Sequence, residues 1–349
     1  MSRILFIKLG AIGDVIQAAV AVERFKLSNP NVLVDWVVGQ SISGLLESLK
    51  VADKVIAVPE QALLTGPLAQ RIKALLISWF LLLSHCQKYK AIYIAHTNWQ
   101  YDLFALPAYA CNPRLIFQMQ KRFFPATKEY RVSEYLKFLS GNTIDVIEGA
   151  SILQGLGNRL LSNNLFKQSF FEKKQQRKTV ALVSGGSRNA LRDDFLRRWP
   201  IERYVELAKL FISADCEVVL VGANSDQWVK SYFEGLRTID LIGKSSLLEL
   251  VAVLDKADLI ITHDTGPLHL ATLTSTPLIT LFGPTPATAV APVGRQNLRV
   301  FKASKEIVCA PCYDGKNYAD CSNPICMKSI SVDKVFAASQ NLLKNKASL

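Results

Sequence analysis

The stretch Leu259–Leu270, LIITHDTGPLHL, decides the fold of this chain. Its first four residues, Leu259–Thr262, form an apolar run that predicts a buried strand, and its last residues continue as a helix. Gly266 lets a ligand approach the backbone, and Pro267 suits the first turn of a helix, where its missing N–H matters little. The stretch therefore predicts a strand-to-helix turn.

Polar side chains fill this turn. Asp264 or Thr265 can cap the new helix, whose free N–H groups would then face an anion. His269 follows within about one turn and can reach the same anion. An ordinary capped helix start explains the residues equally well, so the turn by itself leaves both interpretations open.

Strands and helices alternate along the rest of the chain. This alternation predicts α/β architecture, with parallel sheets wrapped by helices. The predicted strands are Arg3–Leu9, Val32–Val38, Lys54–Val58, Ala91–Ala95, Leu115–Gln118, Thr179–Val183, Glu217–Val221, Ile239–Ile242, Leu259–Thr262 and Leu278–Phe282.

A charged run, Lys173–Lys178, separates two series of these strands and predicts a linker. We expect residues 1–172 and 179–330 to form two doubly wound domains, with a final helix over 331–349. Ligands of such sheets bind at the carboxyl ends of the strands. The predicted site is the cleft across which the two domains face each other.

The composition of the chain indicates which classes of partner it favours. The chain has 349 residues, and 41 Lys and Arg against 29 Asp and Glu give a formal charge of +12, which favours anionic partners. The start, Met1–Ile7, lacks the pattern of a cleavable signal peptide and predicts a cytoplasmic protein. The longest apolar run, Ala74–Leu83, is too short to span a bilayer and predicts a core helix or an interfacial one.

The first strand leads into Lys8–Asp14, KLGAIGD. Its two glycines permit a tight turn, but their spacing differs from the dinucleotide-binding fingerprint, which argues against a dehydrogenase. Asp14 lies at a helix N-terminus, where the helix dipole favours a carboxylate. Asp14 is therefore either a simple N-cap or a base that points into the cleft.

A second polar turn follows the first strand of the second series. Ser184–Ser187, SGGS, allows the backbone to approach a ligand, and the arginines after it supply permanent positive charge. A phosphate site and a solvated basic loop both fit these residues. Trp199 and Pro200 then begin a helix over Ile201–Ser213.

Together these segments resemble glycosyltransferase family 9, the lipopolysaccharide heptosyltransferases. The resemblance runs in order along essentially the whole chain. It is carried by Lys8–Asp14, by the basic Trp-Pro motif Arg197–Pro200, by Asp264–His269 and by Phe282–Thr285.

The resemblance implies a GT-B fold with the acceptor held by the first domain and the donor by the second. It implies inverting transfer of heptose from ADP-heptose to the inner core of lipopolysaccharide, with no cofactor or catalytic metal. Asp14 would be the general base and Arg197 would stabilise the leaving diphosphate. The implied donor residues are Ser184, Gly185, Asp226, Asp264, Thr265, Gly266 and His269.

One residue departs from the family pattern. Arg197 stands where the family often has Lys, and an arginine stabilises charge but does not donate a proton. Arg192 or Arg198 could fill the same role. Asp226 is the candidate for the acidic residue that contacts the ribose.

The implied partners are a nucleotide sugar and an anionic glycolipid, the lipid A core, without nucleic acid. The acceptor candidates are Gly13, Arg114, Lys121, Arg122 and Arg131. The basic and aromatic stretch Arg114–Arg131 also suits peripheral docking on the inner membrane, although a solvated loop has the same composition.

Four cysteines cluster near the C-terminus. Cys309, Cys312, Cys321 and Cys326 have the spacing C-x2-C-x8-C-x4-C, which allows a structural zinc or iron site without matching a standard zinc ribbon.

Two alternatives to the heptosyltransferase remain. One is a transferase of the same fold that uses another nucleotide sugar or a protein acceptor. The other is a noncatalytic module that binds a nucleotide sugar.

Overall fold

The computed structural model describes residues 1–86, 89–97, 99–111, 116–119, 130–162, 177–188, 192–292, 294–314 and 317–345. The described chain folds into two parallel sheets with helices between successive strands. The predicted α/β class is therefore confirmed.

The first sheet contains five strands in the order β3-β2-β1-β4-β5, and every pair in it is parallel. Helices on both faces connect these strands. The strands are β1 (Ser2–Ile7), β2 (Val32–Gly39), β3 (Lys54–Val58), β4 (Ala91–Ile94) and β5 (Ile116–Gln118). The helices are α1 (Ile12–Ser28), α2 (Gln40–Leu49), α3 (Glu60–Thr65), α4 (Leu68–Cys86), α5 (Trp99–Cys111), α6 (Arg131–Ser140) and α7 (Val146–Leu161).

The second sheet contains six parallel strands in the order β11-β10-β9-β6-β7-β8. Its strands are β6 (Thr179–Val183), β7 (Glu217–Leu220), β8 (Thr238–Asp240), β9 (Leu259–His263), β10 (Leu278–Phe282) and β11 (Leu298–Lys302). Its helices are α8 (Ile201–Ser213), α9 (Leu247–Lys256), α10 (Gly266–Ala271), α11 (Ala287–Val290), α12 (Ile325–Lys328) and α13 (Val332–Asn345).

Each sheet has its own hydrophobic core, as expected for parallel strands covered on both faces. In the first, Leu5, Ile7, Val37 and Ile92 pack against Phe104 of α5. In the second, the core contains Val180, Leu182, Tyr204, Phe211 and Trp199, and the Trp199 indole N–H donates to the Ile330 carbonyl at 3.1 Å. The tryptophan of the basic Trp-Pro motif is thus a core residue.

The chain divides into two compact units. The described parts of Met1–Pro125 and Arg131–Ile152 form the first, and those of Leu153–Arg188 and Arg192–Leu349 form the second. Most of the predicted linker lies outside the described residues, so the 173–178 boundary stays a prediction. The C-terminal half of α7 packs with the second unit.

The strand predictions agree with the structure residue for residue at β3, β6 and β10. The eighth strand, predicted at Ile239–Ile242, lies at Thr238–Asp240 instead. The edge strand β11 had no sequence prediction, because Arg299 and Lys302 interrupt its apolar pattern. An edge strand pairs on one side only and tolerates such charges.

No helix among the described residues is long and apolar enough to cross a membrane.

A close backbone contact supports the assignment of the second half of α7 to the second unit. A Cβ at Gly157 would lie 2.0 Å from the Leu273 carbonyl oxygen, so only glycine fits there. Gly157→Ala should lower the free energy of unfolding of the second unit by about 1–3 kcal/mol through overpacking. Thermal and urea unfolding measure the effect.

Gly155, two residues earlier in the same helix, is the matched control, because a Cβ there meets nothing within 4 Å. Gly155→Ala should raise helix stability by about 0.5–1 kcal/mol. Equal effects of the two substitutions would contradict the proposed packing of α7.

Candidate active-site residues in the two units

The first candidate site lies where the strand order of the first sheet reverses. The chain proceeds from β1 to β2 and β3 on one side and then returns to β4 on the other side of β1. Loops that leave β1 and β4 therefore diverge and open a crevice at the carboxyl edge. Lys8 follows β1, His96 follows β4, and Asp14 is in the first turn of α1.

Lys8 and Asp14 form an ion pair, with 3.0 Å between Lys8 Nζ and Asp14 Oδ2. The lysine side chain is 3% exposed, whereas that of Asp14 is 37% exposed. The Lys8 ammonium also lies 5.9 Å from the centre of the Tyr135 ring. The carboxylate is thus accessible to a substrate, while its counter-ion is held inside the protein.

The charges around Asp14 keep it ionised. Partial burial acts to raise the pKa of Asp14, but the positive charges of Lys8 and Arg131 outweigh it and lower the pKa to about 2. Burial in turn lowers the pKa of Lys8, and the negative charge of Asp14 opposes that effect. Asp14 is therefore a carboxylate throughout the physiological pH range.

The N-cap interpretation of Asp14 is wrong. Helix α1 begins at Ile12, and Ala11 is the N-cap residue. Asp14 is therefore the third helical residue. At this position the Asp14 carboxylate pairs with Lys8 and does not cap the helix.

Arg131, a predicted acceptor residue, begins α6 and lies near enough to lower the pKa of Asp14. Its guanidinium donates to Glu134 Oε2 at 2.7 Å. Gly13 is the second residue of α1. The structure brings both close to Asp14, whereas Arg114, Lys121 and Arg122 lie outside the described residues.

Sequence reasoning missed His96 and Tyr101. Their rings stack in parallel with 4.2 Å between centroids, and the Tyr101 hydroxyl accepts a hydrogen bond from the Leu9 N–H at 3.3 Å. Burial and the charge of Lys8 lower the pKa of His96 to about 4, so its imidazole is neutral at pH 7. The position of His96 directly after a predicted strand was the sequence signal that could have identified it as a site residue.

The second candidate site lies at the equivalent point of the second sheet. Strands β6 and β9 are neighbours, and the strand order reverses between them. Ser184–Ser187 follows β6, and Asp264 follows β9. The two loops are bonded together, because the Ser187 hydroxyl donates to the Asp264 carbonyl at 3.0 Å and the Ser187 N–H donates to Thr265 Oγ1 at 2.8 Å.

Arg197 is held beside this crevice by two carboxylates. Its guanidinium lies 3.4 Å from Asp264 Oδ2 and 3.2 Å from Asp194 Oδ2. Burial acts to lower the pKa of Arg197, but Asp264, Tyr318 and Asp194 outweigh it and raise the pKa above its ordinary value. Arg197 is thus a permanent cation in a fixed position.

Arg197 Nε and Ser184 Oγ are among the buried polar atoms that have no hydrogen-bond partner within the described part of the chain. Buried polar groups are nearly always hydrogen-bonded, so each such atom calls for an explanation. A polar ligand bound at this crevice would satisfy both.

Asp226 lies beneath the glycine loop. It is 2% exposed, and its two oxygens accept hydrogen bonds from the Gly186 N–H at 2.7 Å and the Ala223 N–H at 2.8 Å. A Cβ at Gly185 would lie 2.6 Å from its carboxyl carbon. Asp226 therefore shapes the glycine loop, and its contact with a ribose stays a prediction.

Helix α10 holds the remaining donor candidates. Thr265 is its N-cap residue, although its hydroxyl bonds the Ser187 N–H and not the helix. Gly266 begins the helix, and His269, on the same turn, is 9% exposed. All three therefore lie next to Asp264.

Of the three arginines considered for the cationic role, Arg197 is the one paired with Asp264. Arg192 pairs with Asp194 at 2.5 Å. Arg198 donates from Nε to the Gly186 carbonyl at 2.8 Å, with its guanidinium 5.5 Å from the Trp228 ring centre. Arg198 thus contacts the glycine loop.

All four residues of the cysteine cluster are free thiols. Cys309 is exposed, Cys312 and Cys321 are half-buried, and Cys326 is buried. Burial and the negative charges of the neighbouring Cys312, Cys309 and Cys321 raise the pKa of the Cys326 thiol. No group of three or more potential ligands among the described residues could hold a metal ion, so the predicted metal is not supported.

The ion pair at Asp14 predicts a measurable titration. Lys8→Met removes the nearest positive charge, so protonation of Asp14 should become easier and its pKa should rise by about 1–3. Carbon-13 NMR of labelled aspartate carboxyls measures the pKa in both proteins. Lys8→Arg, which keeps the charge, is the control, and an unchanged pKa in Lys8→Met would show that Lys8 does not set the titration.

The chain matches a family model for "Glycosyltransferase family 9 (heptosyltransferase)" over residues 158–321. Lipooligosaccharide heptosyltransferase 2 of Campylobacter jejuni is 25% identical over 238 residues, which cover 65% of this chain and 69% of the relative. Lipopolysaccharide heptosyltransferase 1 of Campylobacter coli is 25% identical over 314 residues, covering 82% and 85%.

Among solved structures, the E. coli ADP-heptose lps heptosyltransferase II superposes with a TM-score of 0.66. It is 18% identical and covers 99% of this chain and 100% of its own. The two parallel sheets are therefore those of the GT-B heptosyltransferase fold. With the family match over residues 158–321 and the heptosyltransferase relatives, they show a glycosyltransferase that is similar to glycosyltransferase family 9.

Proposed function

We propose that this chain transfers heptose from ADP-heptose to an inner-core acceptor of lipopolysaccharide or lipooligosaccharide, with inversion and without a catalytic metal. The observation that carries the proposal is the accessible carboxylate of Asp14 at the switch point of the first sheet, paired with the buried Lys8. The names of the relatives, all of them heptosyltransferases, support heptose as the transferred sugar.

In this reaction the acceptor hydroxyl oxygen bonds to the anomeric carbon from the face opposite the leaving group. The bond from that carbon to the diphosphate oxygen breaks, and ADP leaves with the electron pair. The hydroxyl proton passes to Asp14. A carboxylate with a pKa of about 2 is a weak base, but the attacking hydroxyl becomes acidic as its new bond forms, so transfer late in attack suffices.

Lys8 keeps Asp14 unprotonated and oriented before attack. The neutral imidazole of His96 borders the same crevice and adds no charge at pH 7. Gly13 and Arg131, beside Asp14, are proposed acceptor contacts. The Arg131 cation suits the anionic sugars and phosphates of the lipid A core, which the enzyme would meet as a peripheral protein on the cytoplasmic face of the inner membrane.

The donor diphosphate is assigned to the second crevice. Arg197 there is a fixed cation whose Nε lacks a partner among the described residues, and Ser184 Oγ offers a second free donor. Gly185, Thr265, Gly266 and the His269 side chain border the same turn, with Asp264 holding Arg197 in place. Preorganised donors of this kind stabilise the charge that develops on a leaving group.

Asp14→Ala and Asp14→Asn should abolish transfer while ADP-heptose still binds, because the base is removed and the second crevice is untouched. Removal of a general base costs about 10²–10⁴ in kcat. Mass spectrometry of products from ADP-heptose and a panel of truncated core acceptors measures turnover, and calorimetry measures donor binding.

Near-normal turnover of either Asp14 variant would remove this residue from the mechanism. Transfer from another nucleotide sugar only, or to a protein only, would favour the same-fold transferase alternative. Donor binding with no transfer to any acceptor by the wild type would favour the noncatalytic module.

Arg197→Gln should lower kcat by about 10²–10³, because one charged donor to the leaving diphosphate is lost. Arg197→Lys keeps the charge and should retain most of the activity. Arg192→Gln is the matched control, since Arg192 pairs with the same Asp194 but not with Asp264. A loss in Arg192→Gln equal to that in Arg197→Gln would contradict the assignment of the leaving-group contact to Arg197.

A further inference from the structure

Helix α4 presents its large apolar side chains to solvent. Leu76 is 56% exposed, Phe80 is 72% exposed and Leu83 is 52% exposed, and Ile72 one turn earlier is half exposed. These residues are spaced by three or four and share one face of the helix. From Ile72 to Leu83 the stripe runs about 16 Å.

The opposite face of α4 packs on the first sheet's side of the unit. Ala74, Ser78 and the core residue Leu82 are buried there, and the Ser78 hydroxyl donates to the Ala74 carbonyl at 2.8 Å within the helix. An ordinary surface helix buries its large apolar residues and exposes its polar ones. Helix α4 is apolar on both faces, so folding of this unit accounts for the buried face and not for the exposed stripe.

Helix α5 packs beside α4 and continues this surface. The Trp79 indole N–H donates to the Leu103 carbonyl at 3.1 Å, which joins the two helices. The side chains of Leu103 and Leu106 are 39% and 46% exposed. Contiguous apolar patches of this kind on a protein surface mark sites of protein or membrane contact.

The charge around this surface favours a membrane over a second copy of the protein as the partner. The sequence of α4 contains no Asp or Glu, and exposed Arg71 and Lys73 stand at the start of its apolar stripe. The chain as a whole carries +12, so two copies repel each other, whereas an anionic lipid surface attracts both copies. Basic residues beside an apolar helical face are the features of helices that lie in the membrane interface.

We propose that the exposed face of α4 and α5 docks the protein on an anionic lipid bilayer. The apolar docking face consists of Ile72, Leu76, Phe80, Leu83, Leu103 and Leu106, with Arg71 and Lys73 at the phosphate level. The proposed function includes peripheral contact with the membrane, and the docking face names the surface that makes this contact. The docking proposal rests on the proposed function in that respect.

The test compares binding of the full chain to vesicles of phosphatidylethanolamine and phosphatidylglycerol by co-sedimentation. The variant Leu76→Gln/Phe80→Gln/Leu83→Gln should bind about tenfold more weakly or worse, because three inserted side chains are lost. Lys73→Gln should weaken binding to these vesicles but leave the small binding to phosphatidylcholine vesicles unchanged.

The matched control is Leu27→Gln/Ile147→Gln/Val308→Gln, which changes three exposed apolar residues outside α4 and α5. It should bind vesicles like the wild type. All substituted side chains are exposed, so thermal unfolding midpoints of both variants should match the wild type, and this measurement verifies folding.

Wild-type protein that does not bind the anionic vesicles, or a triple α4 variant that binds as tightly as the wild type, would overturn the proposal. So would wild-type self-association that the α4 variant abolishes in the absence of vesicle binding, because the face would then be an interface between copies. Transfer to a lipid-free core oligosaccharide tests the proposed function separately. A docking failure leaves that transfer intact, whereas failure of the function abolishes it and leaves vesicle binding unchanged.

Discussion

Parallel strand pairing is the constraint on which both candidate sites depend. Strands that run in one direction must be joined by crossover helices, so every loop at the carboxyl edge of a sheet is a strand-to-helix connection. Where successive crossovers turn to opposite sides, two such loops separate and leave a crevice. Lys8 and His96 border that crevice in the first sheet, and Ser184 and Asp264 border it in the second.

The two crevices have opposite electrostatic arrangements. In the first, a buried ammonium and a nearby guanidinium keep an accessible carboxylate ionised. In the second, two carboxylates hold one guanidinium in a fixed position. A fixed cation loses little entropy when an anion binds, and it needs no rearrangement as charge develops on a leaving group. Each site thus presents one reactive charge and buries or pairs the groups that hold it.

The exposed apolar face of α4 is a separate feature of the same fold. The buried face of the helix contains Ala74, Ser78 and the core residue Leu82, and its outer face is free to contact another surface. Different elements of the first unit therefore carry these two properties. Helices α1 and α6 carry the charged residues of the candidate site, and helices α4 and α5 carry the exposed apolar surface. Variants of one set can be studied without disturbing the other.

The sequence by itself determined the α/β class, most strand positions and the turns that carry polar residues. Those properties follow from local apolar runs and from Gly, Pro and Asp at their ends, and each is encoded within about ten residues of chain. The motifs around Asp14 and Asp264 could be recognised from the sequence for the same reason.

Only the tertiary structure decided the partners of those residues. The Lys8 ion pair depends on how α1 starts, and the approach of His96 depends on β4 pairing with β1 across more than 80 residues of sequence. Loop geometry determines which backbone N–H groups bond to Asp226 and which arginine, Arg197, pairs with Asp264. Packing also placed the apolar face of α4 outside, because exposure is a property of packing and not of composition.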